Sequence, residues 1–499
     1  MRKVGNNLFR LFFIFIFLLI SIIFSNGQSF FPKAQKYLKT GFIVSTNDKT
    51  PFWIQSNQYG TISNKSGIVF FEAGLKSDYD STFKRSGKLK NFNFGYGIQI
   101  NANAGNESRL FLTEGYLKAR FKFLEFYAGR RKEVLGITDS LLSSGSLIWS
   151  GNALPLPKIE LYMPNYISIF GKGLISIKWN FAHGWFGNQT YTQKYYLHQK
   201  SFYVKLGRRK SFEMGLNNQI QWGGYSEYLK TVSASTVNGY MPSDFNAFIN
   251  AAFPFPFIRK NFPPKIILIN DSMNYGGNVL GSVDLGYNLT INDFKIKIYR
   301  QIPYELGSLF SSLVNADDGI YGLSVRTPSK IFNGIGLEGI HTYNQGGYRA
   351  GIAQLLNIKD QHFGEIHNYF NHGQYLDGWS YDGFGIGNPL IISNKMVSDQ
   401  YFEEKDKLYS SFNRVKGINL NLVGKINQFR YRLNYSILKY RPTGSSYRPQ
   451  NLELMQNFGL IKISKSFNEK RILECEIGGE TKGLVKRNLG IKFSFIHYW

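Results

Sequence analysis

Through most of this chain apolar and polar residues alternate, in runs that turn residues interrupt. In residues 489–499, Leu489, Ile491, Phe493, Phe495 and Trp499 hold one phase, while Gly490, Lys492 and Ser494 begin the other. Successive side chains of a strand point to opposite faces, so such a run has one greasy face and one polar face. Phe92, Phe94, Tyr96, Ile98 and Ile100 alternate in the same way with Asn91, Asn93, Gly95, Gly97, Gln99 and Asn101. Leu117, Ala119, Phe121 and Phe123 alternate with Lys118, Arg120 and Lys122, which predicts a basic ladder on one face. Residues 285–291 and 294–300 flank Asn292-Asp293, and residues 417–426 and 429–441 flank Asn427-Gln428. Both dipeptides read as two-residue hairpin turns. The pattern predicts an all-β, antiparallel protein built from many hairpins.

A soluble sandwich and a membrane barrel both use such strands. The apolar phase decides between them, because it is unusually aromatic: the chain has 43 Phe and 32 Tyr, and aromatics make up 16% of it. A close-packed core of such uniform rings would fit poorly, whereas lipid imposes no jigsaw fit. The mean hydropathy of −0.24 is too polar for a helical membrane protein, but a barrel hides its signal because half of each strand is polar. A last strand ending on Trp499 also resembles the terminal signal of bacterial barrel proteins. We therefore expect a transmembrane antiparallel β-barrel, with a soluble secreted sandwich as the alternative.

Residues 1–27 read as a cleaved secretory signal peptide. Arg2, Lys3 and Arg10 give a positive start, and the 14-residue apolar run 11–24 falls short of the ~20 residues that span a bilayer. Residues 28–499 then form a single domain, expected in the Gram-negative outer membrane. The net charge is +26, of which the leader holds three cations and no acid, leaving +23. Such a surplus attracts polyanions, meaning anionic lipid or lipopolysaccharide, or acidic polysaccharide, since an exported protein does not meet nucleic acid. The single cysteine, Cys475, excludes an intrachain disulfide framework and a thiolate metal cluster.

Two stretches do not alternate. Residues 304–318 place Leu306, Leu309, Phe310, Leu313 and Val314 at helical spacing, and residues 253–264, rich in Pro and Phe, read as an irregular, docked loop. A helix within a barrel sequence would plug the lumen or cap a mouth. Enzyme signatures are weak. His362, His367 and His372 are spaced by five, with Asp360 and Glu365 nearby, which fits neither a helix face nor a strand face, so no metal and no cofactor are expected. There is no His-Glu-x-x-His and no Gly-x-Ser-x-Gly, and an enzyme acting on lipid or glycan is the least favoured class.

Gly145, Ser146, Ser150, Asn152, Ala153, Pro155 and Pro157 form a Gly-Ser, Ser-x-Asn-Ala, Pro-x-Pro run. Together with residues 197–206 and 222–224, residues 281–289 and residues 368–390, this run resembles the capsule assembly protein Wzi family across the mature chain. The resemblance implies an outer-membrane barrel of about 18 strands with helices on the periplasmic side, acting as a lectin for surface capsule. The residues themselves leave alternatives open. Pro155 and Pro157 cannot donate to a ladder, so residues 152–157 should be a fixed loop whose Asn152 bonds a glycan or caps the loop. Trp379 and Tyr381 suit sugar stacking or an interface belt. Lys118, Arg120, Lys122, Arg430 and Arg432 would bind acidic sugars from the lumen or pair with acids across it. The expected function is polysaccharide binding that supports capsule attachment and assembly by a non-enzymatic monomer. An anion-selective porin is the alternative.

Overall fold

The computed structural model describes residues 34–79, 92–268, 276–305, 315–345, 367–401, 407–444 and 448–499. The leader, most of the helix expected over 304–318, and Asp360, His362 and Glu365 lie outside the described residues.

Nineteen strands form one antiparallel sheet, and Gln35–Ser45 pairs with Asn488–Tyr498 to close it into a barrel. Lys158–Tyr162 and Ile167–Phe170 lie one beyond the other along the same partner, Ile175–Asn188, so the wall has 18 strand positions. Closure removes the unpaired edges that hydrocarbon would not tolerate.

The period-2 reading assigns the faces correctly. On the outward phase Leu117 is 71% exposed, Phe94 66% and Phe121 56%, whereas inward Gln99, Asn101, Lys492 and Ser494 are buried. Phe42 and Phe493 stack on the outer surface with ring centres 5.8 Å apart. The hairpin signals hold as well. Asn278–Ile291 and Phe294–Glu305 are joined through Asn292 and Asp293, both at positive φ, and Arg414–Ile426 joins Phe429–Arg441 through Asn427 at φ 53°. Positive φ gives the turn the twist that its flanking strands require.

The basic ladder is shorter than the alternation suggests. Phe121 pairs with Leu124, so Lys122, at φ 55°, is the first residue of a two-residue turn rather than a third rung. Nothing in a sequence of alternating Lys and Phe marks where a strand ends and its turn begins.

The barrel's two ends differ. One carries the first and last strands' outer termini and tight turns such as 122–123, 292–293 and 427–428; we call it the turn end. The other, the loop end, carries the long connections 46–67, 131–157, 223–277 and 342–413. The described helices are all on these long connections: Phe52–Gln55, Phe245–Ala252 and Pro256–Asn261, with short 3-10 turns at Glu227–Leu229 and Asp399–Tyr401. The described helices thus sit at the end opposite the tight turns.

Three of those connections turn inward and plug the barrel. Phe52, Trp53, Leu147, Trp149, Leu154, Trp379, Ile391 and Phe412 are buried together with inward wall residues such as Tyr203, Tyr299 and Tyr440. A second, smaller cluster lies on the other side of the wall, where Ala247 and Ala251 cover Ile220, Trp222, Val279 and Tyr304.

Candidate functional site

The Ser/Asn/Pro run forms the fixed loop expected of it, and it laces the plug together. Asn152 Nδ2 donates to the Gly385 carbonyl at 3.0 Å, while its Oδ1 accepts from the Asn57 amide at 3.0 Å. Ser150 Oγ donates to the Gly387 carbonyl at 2.7 Å, and Asn388 Nδ2 donates to that of Gly145 at 2.7 Å. Gly145 and Gly151 adopt φ 112° and 88°, where a side chain would be strained. The wall holds the loop from outside, since Glu338 accepts from the Ser144 amide at 2.5 Å and Gln301 from that of Leu147 at 2.9 Å. Both ends of the Asn152 amide, the Ser150 hydroxyl and the Asn388 amide nitrogen are thus spent on protein partners, which makes this network structural.

Trp379 is fully buried, donates from Nε1 to the Ile148 carbonyl at 2.7 Å, and meets Trp149 edge-on at 6.0 Å. Tyr381 is nearly buried, and its OH accepts from Arg130 at 2.7 Å. Asp382, next along the chain, pairs with Arg109 at the loop-end surface. His367 meets Asn315 at 2.7 Å, and His372 accepts from the Gln374 amide at 3.2 Å. Burial pushes the His372 imidazole down to about 4. Among the described residues no cluster of His, Cys, Asp and Glu is placed to hold a metal.

The cations expected in the lumen are divided. Lys118 pairs with Asp78 at 2.6 Å, and the Tyr79 ring lies 4.1 Å from its ammonium and 4.4 Å from the Arg120 guanidinium. Arg432 donates to Asn421 at 3.2 Å, and Arg430 is exposed beside its turn. Lys118 and Arg120 stand together, but Arg430 and Arg432 are on a strand far round the barrel, and all four lie toward the turn end. Between the plug and that end the lumen pairs its charges: Lys462 reaches Glu474 at 2.7 Å and Glu476 at 3.1 Å, Lys39 reaches Glu474 at 3.1 Å, and Lys492 reaches Glu476 at 3.3 Å.

A cleft of about 440 Å³ opens on the loop end, between the plug and the 189–192 turn. Gln189, Thr190, Tyr191, Asp377, Ser380, Lys395 and Asp399 line it. Asp377 shapes one wall by accepting from the amides of Thr190 at 2.9 Å, Tyr191 at 3.0 Å and Thr192 at 2.8 Å; burial still raises its carboxyl. Lys49 donates to the Lys395 carbonyl at 2.9 Å, and Lys486 pairs with Asp399 at 2.7 Å. Tyr191 meets Tyr228 edge-on at 5.0 Å, the Lys407 ammonium sits 4.1 Å over Tyr228, and Tyr225 contacts Tyr240 at 4.7 Å. Tyr228 and Tyr240 are more than half exposed. A carboxylate and ammoniums beside open aromatic faces can hydrogen-bond and stack on a sugar. The sequence reading missed these tyrosines, because it sought binding groups in strands and in motif blocks. Their only signal was clustering in the longest turn-rich connections.

The architecture is similar to that of a solved Escherichia coli protein, Wzi, described as an outer-membrane protein involved in group 1 capsule assembly and as a carbohydrate-binding β-barrel. The two share 14% identity at a TM-score of 0.56, over 92% of this chain and 83% of that one. Looser likenesses join the chain to OccK5 (OpdH) of Pseudomonas aeruginosa, at 7% identity and TM-score 0.47 over 93% and 97% of the chains, and to OccAB2 of Acinetobacter baumannii, at 9% and 0.44 over 95% and 99%. No curated protein sequence matches. Residues 43–240, from the first barrel strand past the Ser/Asn/Pro plug loop and into the 223–277 connection, match the model of the capsule assembly protein Wzi family, and the resemblance to that family read from the sequence holds.

Proposed function

We propose that this barrel binds acidic surface polysaccharide at its loop end and thereby supports capsule attachment and assembly, without catalysing a reaction. The observation that carries this reading is the plugged lumen crowned by an open cleft with polar walls and a tyrosine rim. The polymer seats along Tyr191, Tyr228, Lys395 and Lys407. Asn152 and Trp379 serve it indirectly by fixing the plug, and Tyr381 with Arg130 borders it. Lys118, Arg120, Lys122, Arg430 and Arg432 serve the opposite mouth. The loop end faces outward, as long connections do in outer-membrane barrels, and the protein works as a monomer after its leader is removed. A porin would need a through-path that the plug occupies.

The test is binding of the detergent-solubilised barrel to the host's own capsule, at low and high salt. Tyr191→Ala with Tyr228→Ala should weaken binding at least tenfold at either salt, and Lys395→Ala with Lys407→Ala should do so mainly at low salt. Lys118→Ala with Arg120→Ala should leave binding unchanged. Binding lost only in that last variant would move the site to the lumen, and no binding by the unaltered barrel would sink the reading.

A further inference from the structure

One long connection does not enter the lumen. After crossing the loop end, residues 243–268 descend along the outer wall. Asp244 caps Phe245–Ala252, its Oδ1 accepting from the Ala247 amide at 2.9 Å. The helix lays Ala247, Phe248 and Ala251 on Ile220, Trp222, Val279 and Tyr304. By strand alternation these wall residues share the outward phase with the lipid-facing Phe212, Tyr287 and Ile298.

The covered wall is polar where lipid would demand otherwise. Lys200 lies on the outward phase midway along Gln193–Gly207, where bare hydrocarbon would strand its ammonium. Its Nζ donates instead to the carbonyls of Ala251 and Ala252, both at 3.0 Å, which are the negative end of the helix. His198 is wholly buried nearby, its ring 6.2 Å from that of Phe248, with neither nitrogen hydrogen-bonded within the protein. The helix thus replaces lipid over a stretch of wall that lipid could not cover.

Its other side is the reverse. Phe245, Phe253, Phe255, Phe257, Phe262 and Ile267 are between 41 and 69% exposed, and Arg259, Lys260 and Lys265 stand among them. Facing water, such a patch would be an aggregation liability. It is continuous with the lipid-facing belt, because Phe253 lies 6.2 Å from the outward ring of Phe181. Rings beside cations match the boundary where acyl chains meet anionic headgroups.

We propose that residues 243–268 form an in-plane foot that seats in the outer leaflet and binds the phosphates of its anionic lipid through Arg259, Lys260 and Lys265. The test places a spin label at Phe257→Cys, and separately at Phe255→Cys, in a Cys475→Ala background reconstituted in lipid nanodiscs. Both labels should be reached by oxygen and shielded from a water-soluble nickel relaxer. Native mass spectrometry should show diphosphoryl lipid A retained over its dephosphorylated form, with at least a tenfold loss of that preference in Arg259→Glu, Lys260→Glu, Lys265→Glu. Labels open to water, labels shielded from both relaxers as under a second protein copy, or lipid retained without regard to phosphate would each overturn the proposal.

Discussion

The two halves of the lumen are filled by opposite means. At the loop end, rings of Trp53, Trp149 and Trp379 make a dry core continuous with Tyr203, Tyr299 and Tyr440 of the wall. Toward the turn end, Lys39, Lys462 and Lys492 gather around Glu474 and Glu476, and among the described residues no plug segment stands between them. The same inward phase of the strands faces both. Local strand chemistry therefore does not decide how a lumen is closed; the long loop-end connections that fold back inside do.

The sharpest way to break this contrast is Trp379→Ala. Removing a fully buried indole and orphaning the Ile148 carbonyl should cost about 4 kcal/mol. It should also open the plug, so planar-bilayer conductance should rise from near silence. Glu476→Ala attacks the other half. It leaves Lys492 buried and Lys462 short of a partner, at a cost of about 3 kcal/mol, read as a lower urea midpoint. Here conductance should stay silent; a conducting Glu476→Ala barrel would show that the charged half carries the seal.

Acid should loosen the plug around His372. The His372 pKa is lower in the docked plug than when released, so the released state takes up the proton first. Docking is at full strength above about pH 6.5 and weakens as pH falls toward about 4, by as much as about 3 kcal/mol. Hydrogen exchange of residues 368–398 should quicken over that window, and His372→Gln should flatten the response. The smallest effect belongs to the open turns. Lys122→Ala and Arg430→Ala should each shift stability by less than about 0.5 kcal/mol, because both side chains are exposed at hairpin ends.

Much of the wall was legible in the sequence, because a strand's two faces are written residue by residue and the turns carry their own chemistry. Asn292-Asp293 and Asn427-Gln428 sit where the alternation and turn residues put them. What alternation could not mark is where a strand ends, so Lys122 read as a rung. The lumen's pairing was equally hidden, since Lys462 and Glu474 meet only once two strands are set in register. Residues 152–157 were legible as a fixed loop through their prolines. That Asn152 spends both ends of its amide inside the protein depends on Asn57 and Gly385, which are distant in sequence. The tyrosines of the cleft were the least legible, because an exposed ring in a loop has no periodicity to betray it.

The plug is built from internal connections, so each of its segments is moored to the wall at both ends. Unlike a free domain, it has no loose tail by which it could be drawn out. Any passage made through this protein would have to come from sliding these loops within the rim, which ties permeability to the same laces that hold Asn152 and Trp379.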